Sequence, residues 1–190
     1  MGRRRTIDRD ALLDAAERVV AREGAAHLTL DAVAAEAGIS KASVLYDYKT
    51  KRTLIQALIE RRVAFENARL EGYIAGHPGE PDIQILGRLA AKSRSLSDKD
   101  RDIALNLCAA LAQDGALREP IQHLYRRQIA EIIDGAGSPR GAMLAFLAIE
   151  GLSLLEWFGF MVWPADERER LLADIGWLIR QTPADPASVT

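Results

Sequence analysis

Apolar residues recur at intervals of three and four along nearly the whole chain, the spacing that lines one face of a helix. No stretch alternates with period two, so the pattern predicts an all-α fold of about nine helices. The first runs from Ile7 to Glu23, with Leu12, Ala15, Ala16, Val19 and Val20 on one face and Gly24 as its stop. Thr29 caps the next, since its hydroxyl can take a free first-turn amide. Leu30, Val33, Ala34 and Ala37 form that helix's apolar face, Gly38 ends it, and Ile39 plugs the turn. Ser40 caps a third helix reaching about Asp47. A long helix follows from Thr50 to about Ala75, in which Leu54, Ala57, Leu58, Val63, Phe65 and Leu70 are the apolar positions. Its Arg61, Arg62, Glu66 and Arg69 read as a solvated face, and Gly76–Pro81 is a breaker. Helices are then predicted over Asp82–Ser95, Asp98–Asp114 (with Asp98 as cap), Leu117–Asp134, Gly141–Trp163 and Ala165–Gln181. The pattern divides the chain into a three-helix domain over residues 1–52 and a helical domain over 53–181, joined through the long helix at about 50–75. Residues 182–190 form a Pro/Ala/Ser-rich tail expected to be disordered.

The stretch from Thr29 to Lys51 carries the chemistry. Two short helices joined by a tight turn containing Gly match the helix-turn-helix signature. In such a motif the N-terminal residues of the second helix reach base edges in the major groove. Here they are Ser40, Lys41, Ala42 and Ser43, short enough for close approach of the backbone. Lys41 can reach guanine N7 and O6 or a phosphate, Ser43 can donate or accept, and the Ala42 methyl can touch a thymine methyl. Tyr46 and Tyr48 offer hydroxyls to phosphate oxygens. Lys49 and Lys51 bring positive charge to the backbone, and the helix start at Thr29 is a further phosphate site. Asp47 is the acidic exception in a helix expected to face phosphates.

At these residues, T-L-x-x-V-A-x-x-A-G-I-S-K-x-x-x-L-Y-x-Y-x-x-K, the chain resembles the TetR (tetracycline-repressor-like) family of bacterial transcriptional regulators. The match runs ungapped over about forty-five N-terminal residues. Many members place Leu-Tyr one position earlier and follow it with His-Phe, where this chain has Leu45-Tyr46-Asp47-Tyr48. The resemblance implies DNA contacts at Ser40, Lys41 and Lys51 and, less directly, at Tyr46 and Tyr48. It also implies that the long helix transmits ligand binding to the DNA heads, and that the last two helices form a dimer interface.

Composition narrows the picture. Apolar residues make up 48% and charged residues 27%, as in ordinary globular proteins. Residues 1–62 hold 12 Lys and Arg against 9 Asp and Glu, while the remainder holds 13 against 18. The positive half therefore coincides with the motif, despite a net charge of −2. An arm ahead of the first helix carries Arg3, Arg4 and Arg5; Arg5 is counted among the candidate DNA contacts, against the alternative of a solubilising tail. No apolar run is long enough to span a membrane, and the N-terminus lacks the apolar core of a secretory signal, so a cytoplasmic protein is expected. One cysteine, Cys108, provides neither a disulfide framework nor a multi-cysteine metal site. The segment 135–141 lacks the Lys-Ser/Thr of a phosphate-binding loop, and no hydrolase motif appears. No catalytic residue, metal site or cofactor is expected.

The C-terminal half suggests a pocket and a partner. The helix around 142–162 is apolar nearly all round, so it should be buried on more than one side. With the last helix it is expected to form a two-fold, four-helix dimer interface through Leu155, Leu171, Ile175 and Leu178. Candidate pocket walls are Leu86, Leu89, Leu107, Leu111, Phe146 and Trp157; candidate polar groups are Asn106, His123, Arg126 and Glu150. The expected function is a homodimeric regulator, a repressor released from a palindromic operator on double-stranded DNA by a small-molecule effector. The alternative is a helical ligand-binding or protein-interaction module without operator binding.

Overall fold

The computed structural model describes residues 8–93 and 97–183. Among these residues there are nine helices and no strand, so the fold is all-α. They are α1 (Arg9–Glu23), α2 (Leu30–Ala37), α3 (Lys41–Asp47), α4 (Lys51–Gly76), α5 (Ile83–Ala91), α6 (Asp98–Gln113), α7 (Gly115–Asp134), α8 (Pro139–Trp157) and α9 (Ala165–Ile179). They cluster into two units. The first comprises the described residues through Ala64 together with those from 97 to Pro120; the second comprises 65–93 and 121–183. Both α4 and α7 cross from one unit's residues to the other's, and α6 belongs with the N-terminal helices.

Caps set the helix ends. Asp8 accepts the amides of Asp10 and Ala11, and Thr29 Oγ1 accepts that of Ala32 at 3.0 Å. The cap of α6 is Ser97, not Asp98: its Oγ accepts the Asp100 amide at 3.2 Å and donates to Asp100 Oδ2 at 2.6 Å. Asp98 thus sits in the first turn, where a carboxylate complements the positive end of the helix dipole. Helix α8 stops at Trp157, six residues before the expected end. Gly159 adopts φ +65°, a left-handed conformation, and the amides of Gly159 and Phe160 turn back to the carbonyls of Glu156 and Leu155. The apolar pattern runs on past this point, which is why periodicity missed the stop.

The first unit has one core. Leu12, Ala15, Ala16, Val19 and Val20 of α1 are buried with Val33 and Ala34 of α2, Val44 of α3, Leu54, Ile55 and Leu58 of α4, and Ile103 and Leu107 of α6. Burying each of the larger side chains is worth about 1.5–3 kcal/mol. Asn106 ties α6 to the turn between α1 and α2. Its Oδ1 accepts the Ala25 amide at 3.3 Å, and its Nδ2 donates to the Asp102 carbonyl at 2.8 Å. Gly24 is required here twice over, by its φ of +85° and because a Cβ would stand 2.9 Å from Asn106 Oδ1.

The second unit packs around Ile85, Ile132, Ala142, Ala145, Phe146, Ile149, Leu152, Ile175 and Ile179. Helix α5 approaches α4 so closely that a Cβ at Gly87 would meet Leu70 Cδ1 at 2.5 Å. Asp82 Oδ1 accepts the Gly137 amide at 2.8 Å, and Ser138 Oγ donates to the Gln181 carbonyl at 2.6 Å. Of the tail, only residues through 183 fall within the described ones, and the Pro183 carbonyl accepts from Arg140.

Two substitutions probe these contacts. Gly141→Ala would press a methyl group against the carbonyls of Leu178 and Ile179, each 2.8 Å away. Backbone cannot rotate aside as a side chain can, so a loss of about 1–3 kcal/mol or more is expected, read as a lower urea midpoint. Asn106→Leu strands the amide of buried Ala25, and denaturation should show a loss of about 1–3 kcal/mol.

Candidate DNA-binding surface and effector site

Helix α3 has seven residues, and its sequence places short polar groups at its start and one apolar anchor in its middle. Ser40 Oγ accepts the Ser43 amide at 3.2 Å and lies 2.8 Å from Ser43 Oγ. The cap therefore engages the two serines with each other. Val44 is fully buried and fixes the helix's rotation. That rotation leaves Ser40, Lys41 and Ala42 exposed, Ser43 half-buried, and Tyr46 exposed at 69%. Gly38 lies in the left-handed region, φ +64°, and makes the turn between α2 and α3.

Charge on this surface is arranged around the anchor. Lys41 Nζ is 2.7 Å from Asp31 Oδ2 in the first turn of α2, and both side chains are more than half exposed. Such a pair contributes little to stability and can open to water or phosphate. Lys51 Nζ donates to the Ala26 carbonyl, and Lys49 Nζ lies 5.8 Å from the Tyr46 ring centre. Tyr48 is half-buried as the C-cap of α3, and burial raises its hydroxyl pKa, so it stays a neutral donor. Thr29 caps α2 at an exposed position. Arg5 lies outside the described residues.

Asp47 behaves differently from the sequence expectation. Its carboxylate is only 7% exposed and pairs with Arg9 Nε at 2.9 Å, binding the end of α3 to the start of α1. The acid is thus turned away from solvent and serves to place the helix. Arg61 and Arg62 likewise depart from a solvated face: Arg61 pairs with Asp14 and Glu17, and Arg62 with Glu17 and Asp100. The Ser97 hydroxyl and then Arg62 hold the Asp100 carboxyl below its ordinary pKa. Arg18 and Arg22 share Glu36, joining α1 to α2, and keep its carboxyl below the usual range. Charged side chains therefore bind α1 to α2, α3 and α4, and α4 to α6.

The structure divides the candidate pocket residues between the two units. Asn106, Leu107 and Leu111 lie on α6 in the first unit, where Asn106 is engaged with Ala25 and Leu107 is core. Leu89, His123, Arg126, Phe146, Glu150 and Trp157 lie in the second. His123 and Arg126 are exposed on α7. Phe146 is buried, Leu89 packs against the core, and Trp157 lies beneath Lys92 Nζ at 5.3 Å. Glu150 Oε2 accepts from the Tyr125 hydroxyl at 2.9 Å, and Tyr125 meets Phe146 edge to face, with ring centres 6.1 Å apart. Two residues the sequence did not single out are Tyr125, which bonds Glu150, and Arg88 on α5, half-buried with its Nε lacking a hydrogen-bond partner among the described residues. Arg88 sits within IQILGRLAA, where a lone charge in an apolar run was the available signal.

Of the four expected interface residues, Ile175 is buried in the core of its own chain, because the apolar face of α9 that carries it turns inward. Leu171 and Leu178 are half-buried, and Leu155 is exposed at 39%. Besides Leu155, helix α8 exposes Leu144, Leu147 and Leu154, with Phe158 beyond its end, and α9 exposes Trp177 at 65%. No helix among the described residues is long and apolar enough to cross a membrane.

Comparison with known proteins gives this arrangement its context. No curated protein matches the sequence significantly. Among solved structures, SCO7518 of Streptomyces coelicolor A3(2) superposes with a TM-score of 0.71 at 20% identity, covering 91% of this chain and 98% of that one. A TetR-like transcriptional regulator from Rhodococcus sp. RHA1 gives 0.64 at 24%, covering 93% and 97%. The multidrug binding protein EbrR, complexed with ethidium, gives 0.65 at 22%, covering 90% and 96%. At such identities the likeness is one of fold. Two family models match the sequence itself: "Bacterial regulatory proteins, tetR family" over residues 12–58 and "Tetracyclin repressor-like, C-terminal domain" over residues 87–180. With both the N-terminal and the C-terminal model of the family matched along its sequence, the chain belongs to the TetR family of bacterial transcriptional regulators.

Proposed function

We propose that the protein is a homodimeric repressor that reads a palindromic operator through α3 and leaves it when a small molecule binds the second unit. The observation that carries this reading is the exposed start of α3, Ser40 to Ala42 with half-buried Ser43 behind them, on a helix whose rotation is fixed by buried Val44. Lys41, Lys49 and Lys51, with the N-terminus of α2 at Thr29, supply the phosphate contacts around it. Tyr46, exposed and beside Lys49, adds a hydroxyl on a rigid ring.

Dimerisation is supported by spacing. Leu144, Leu147, Gly151, Leu154 and Phe158 follow one another by three and four residues, a seven-residue repeat along one face. The four large members of that series are exposed in the single chain, and a Cβ at Gly151 would meet nothing within 4 Å. A second copy of α8 laid along this seam, flanked by α9 and Trp177, covers a surface too apolar for a free monomer. Two heads would then meet two half-sites. Release follows if effector binding in the second unit alters the separation of the heads through α4, which runs unbroken from Lys51 to Gly76.

The test is selection of bound duplexes from a random pool by the full chain. An inverted repeat is expected, bound less tightly as salt rises; a pool that stays random opposes the reading. On the selected duplex, Lys41→Ala and Tyr46→Ala should each weaken binding by about 1–3 kcal/mol while thermal stability stays near wild type. Leu147→Glu should convert the dimer to a monomer in sedimentation equilibrium and weaken duplex binding with it. A Leu147→Glu protein that still sediments as a dimer excludes the α8 seam.

A further inference from the structure

Asp31 stands apart from the other acids of α2 and α3. Glu36 is shared by Arg18 and Arg22, and the Asp47 carboxylate is turned inward onto Arg9. The Asp31 side chain is 66% exposed in the first turn of α2, and its Oδ2 lies 2.7 Å from Nζ of Lys41 at the start of α3. An exposed pair of this kind adds little to the fold. Its effect falls instead on what docks against α3. A carboxylate there opposes phosphates of any sequence, which lowers affinity for all DNA alike. It also neutralises Lys41, so the ammonium is drawn less strongly to the DNA backbone, and it holds the ammonium beside the helix start. Lys41 keeps donors beyond the one given to Asp31, and the carboxylate keeps lone pairs beyond the one that Lys41 uses. The pair therefore presents donors next to an acceptor.

We infer that the Asp31–Lys41 pair reads a G·C base pair in each operator half-site, with Asp31 the residue that sets the preference. The inference rests on the reading of α3 as the operator-facing helix, and it assigns Lys41 to a base edge, leaving Lys49 and Lys51 to the phosphates. In the major groove guanine offers N7 and O6 as acceptors, and its cytosine offers the N4 amino group as a donor. The Lys41 ammonium donates to the guanine acceptors, and the Asp31 carboxylate accepts from the cytosine amino group. An A·T pair in the same orientation sets the adenine amino group against the ammonium and thymine O4 against the carboxylate. Donor then meets donor and acceptor meets acceptor. A reversed C·G pair fails in the same way. A reversed T·A pair keeps O4 for the ammonium and the adenine amino group for the carboxylate but loses one acceptor, so it ranks second. Lysine alone is attracted to many partners; the added carboxylate turns that attraction into discrimination by repelling the wrong edges.

The test uses the full chain and a duplex that it selects from a random pool. Each base pair of one half-site is replaced in turn by the other three, and affinities are measured for wild type, Asp31→Ala, Asp31→Asn and Lys41→Ala. At one position wild type should prefer G·C over A·T and C·G by about tenfold to about a hundredfold, the range for a well-placed base contact. Asp31→Ala should lose most of that preference, at the same position that Lys41→Ala relaxes, and should bind unrelated duplex more tightly than wild type does. With Lys41 free to reach phosphate, its plot of log affinity against log salt should steepen by about one unit. Asp31→Asn removes the charge and keeps the shape, so the gain on unrelated duplex and the steeper slope should recur. Both Asp31 variants should melt near wild type, because the pair is exposed. The inference is overturned if no position prefers G·C, if Asp31→Ala keeps the wild-type preference throughout, or if it relaxes a position other than the one Lys41→Ala relaxes. Equal weakening on every duplex with a lowered melting temperature also overturns it, since that would mark a structural role. Any of these results with a wild-type chain that enriches an inverted repeat removes only this inference, whereas a pool that stays random removes the operator reading with it.

Discussion

A seven-residue helix is not stable in water on its own, because nucleating a helix fixes several residues for a single hydrogen bond. Everything in the first unit follows from having to hold α3 in one orientation nonetheless. Val44 anchors it from below, the Ser40 cap fixes its start, and the Asp47–Arg9 pair holds its end to α1. With both ends and the middle held by these contacts, the polar start of α3 is displayed in one orientation. Preorganisation of that kind reduces what ordering would otherwise take from binding.

The support reaches further than the three N-terminal helices. Helix α6 lies far along the sequence, yet its Ile103 and Leu107 share the core of α1, and Asn106 holds the turn before α2. Arg62 joins Glu17 of α1 to Asp100 of α6, and Arg52 reaches Asp114 at the end of α6. The first unit's core therefore includes α6 as well as the start of α4.

The sequence made the helices legible because their periodicity, caps and glycine stops are local. Thr29 and Ser40 cap their helices as their side chains predict, and Gly38 ends α2 in the left-handed conformation that a missing Cβ permits. Helix α8 ended early because a left-handed glycine overrode an apolar pattern that continued beyond it. At the candidate sites, local reading located the exposed start of α3 but misjudged Asp47, whose partner lies 38 residues away in α1. Arg88 and Tyr125 were missed for the same reason: what sets them apart is an Nε with no hydrogen-bond partner among the described residues in one case and a bond to Glu150 in the other, and neither shows in spacing. Ile175 carried the right residue type for an interface, and only packing decided that it faces inward.

The central claim is that the start of α3 lies in the major groove of each operator half-site. Guanine N7 is exposed only there, so protection of N7 from methylation by dimethyl sulfate, on a duplex selected by the full chain, tests it most directly. Two protected clusters on one face of the duplex, related by the symmetry of the inverted repeat and weakened in Lys41→Ala, are the predicted result. Bound duplex with every guanine N7 still reactive, or protection confined to adenine N3 in the minor groove, would contradict it.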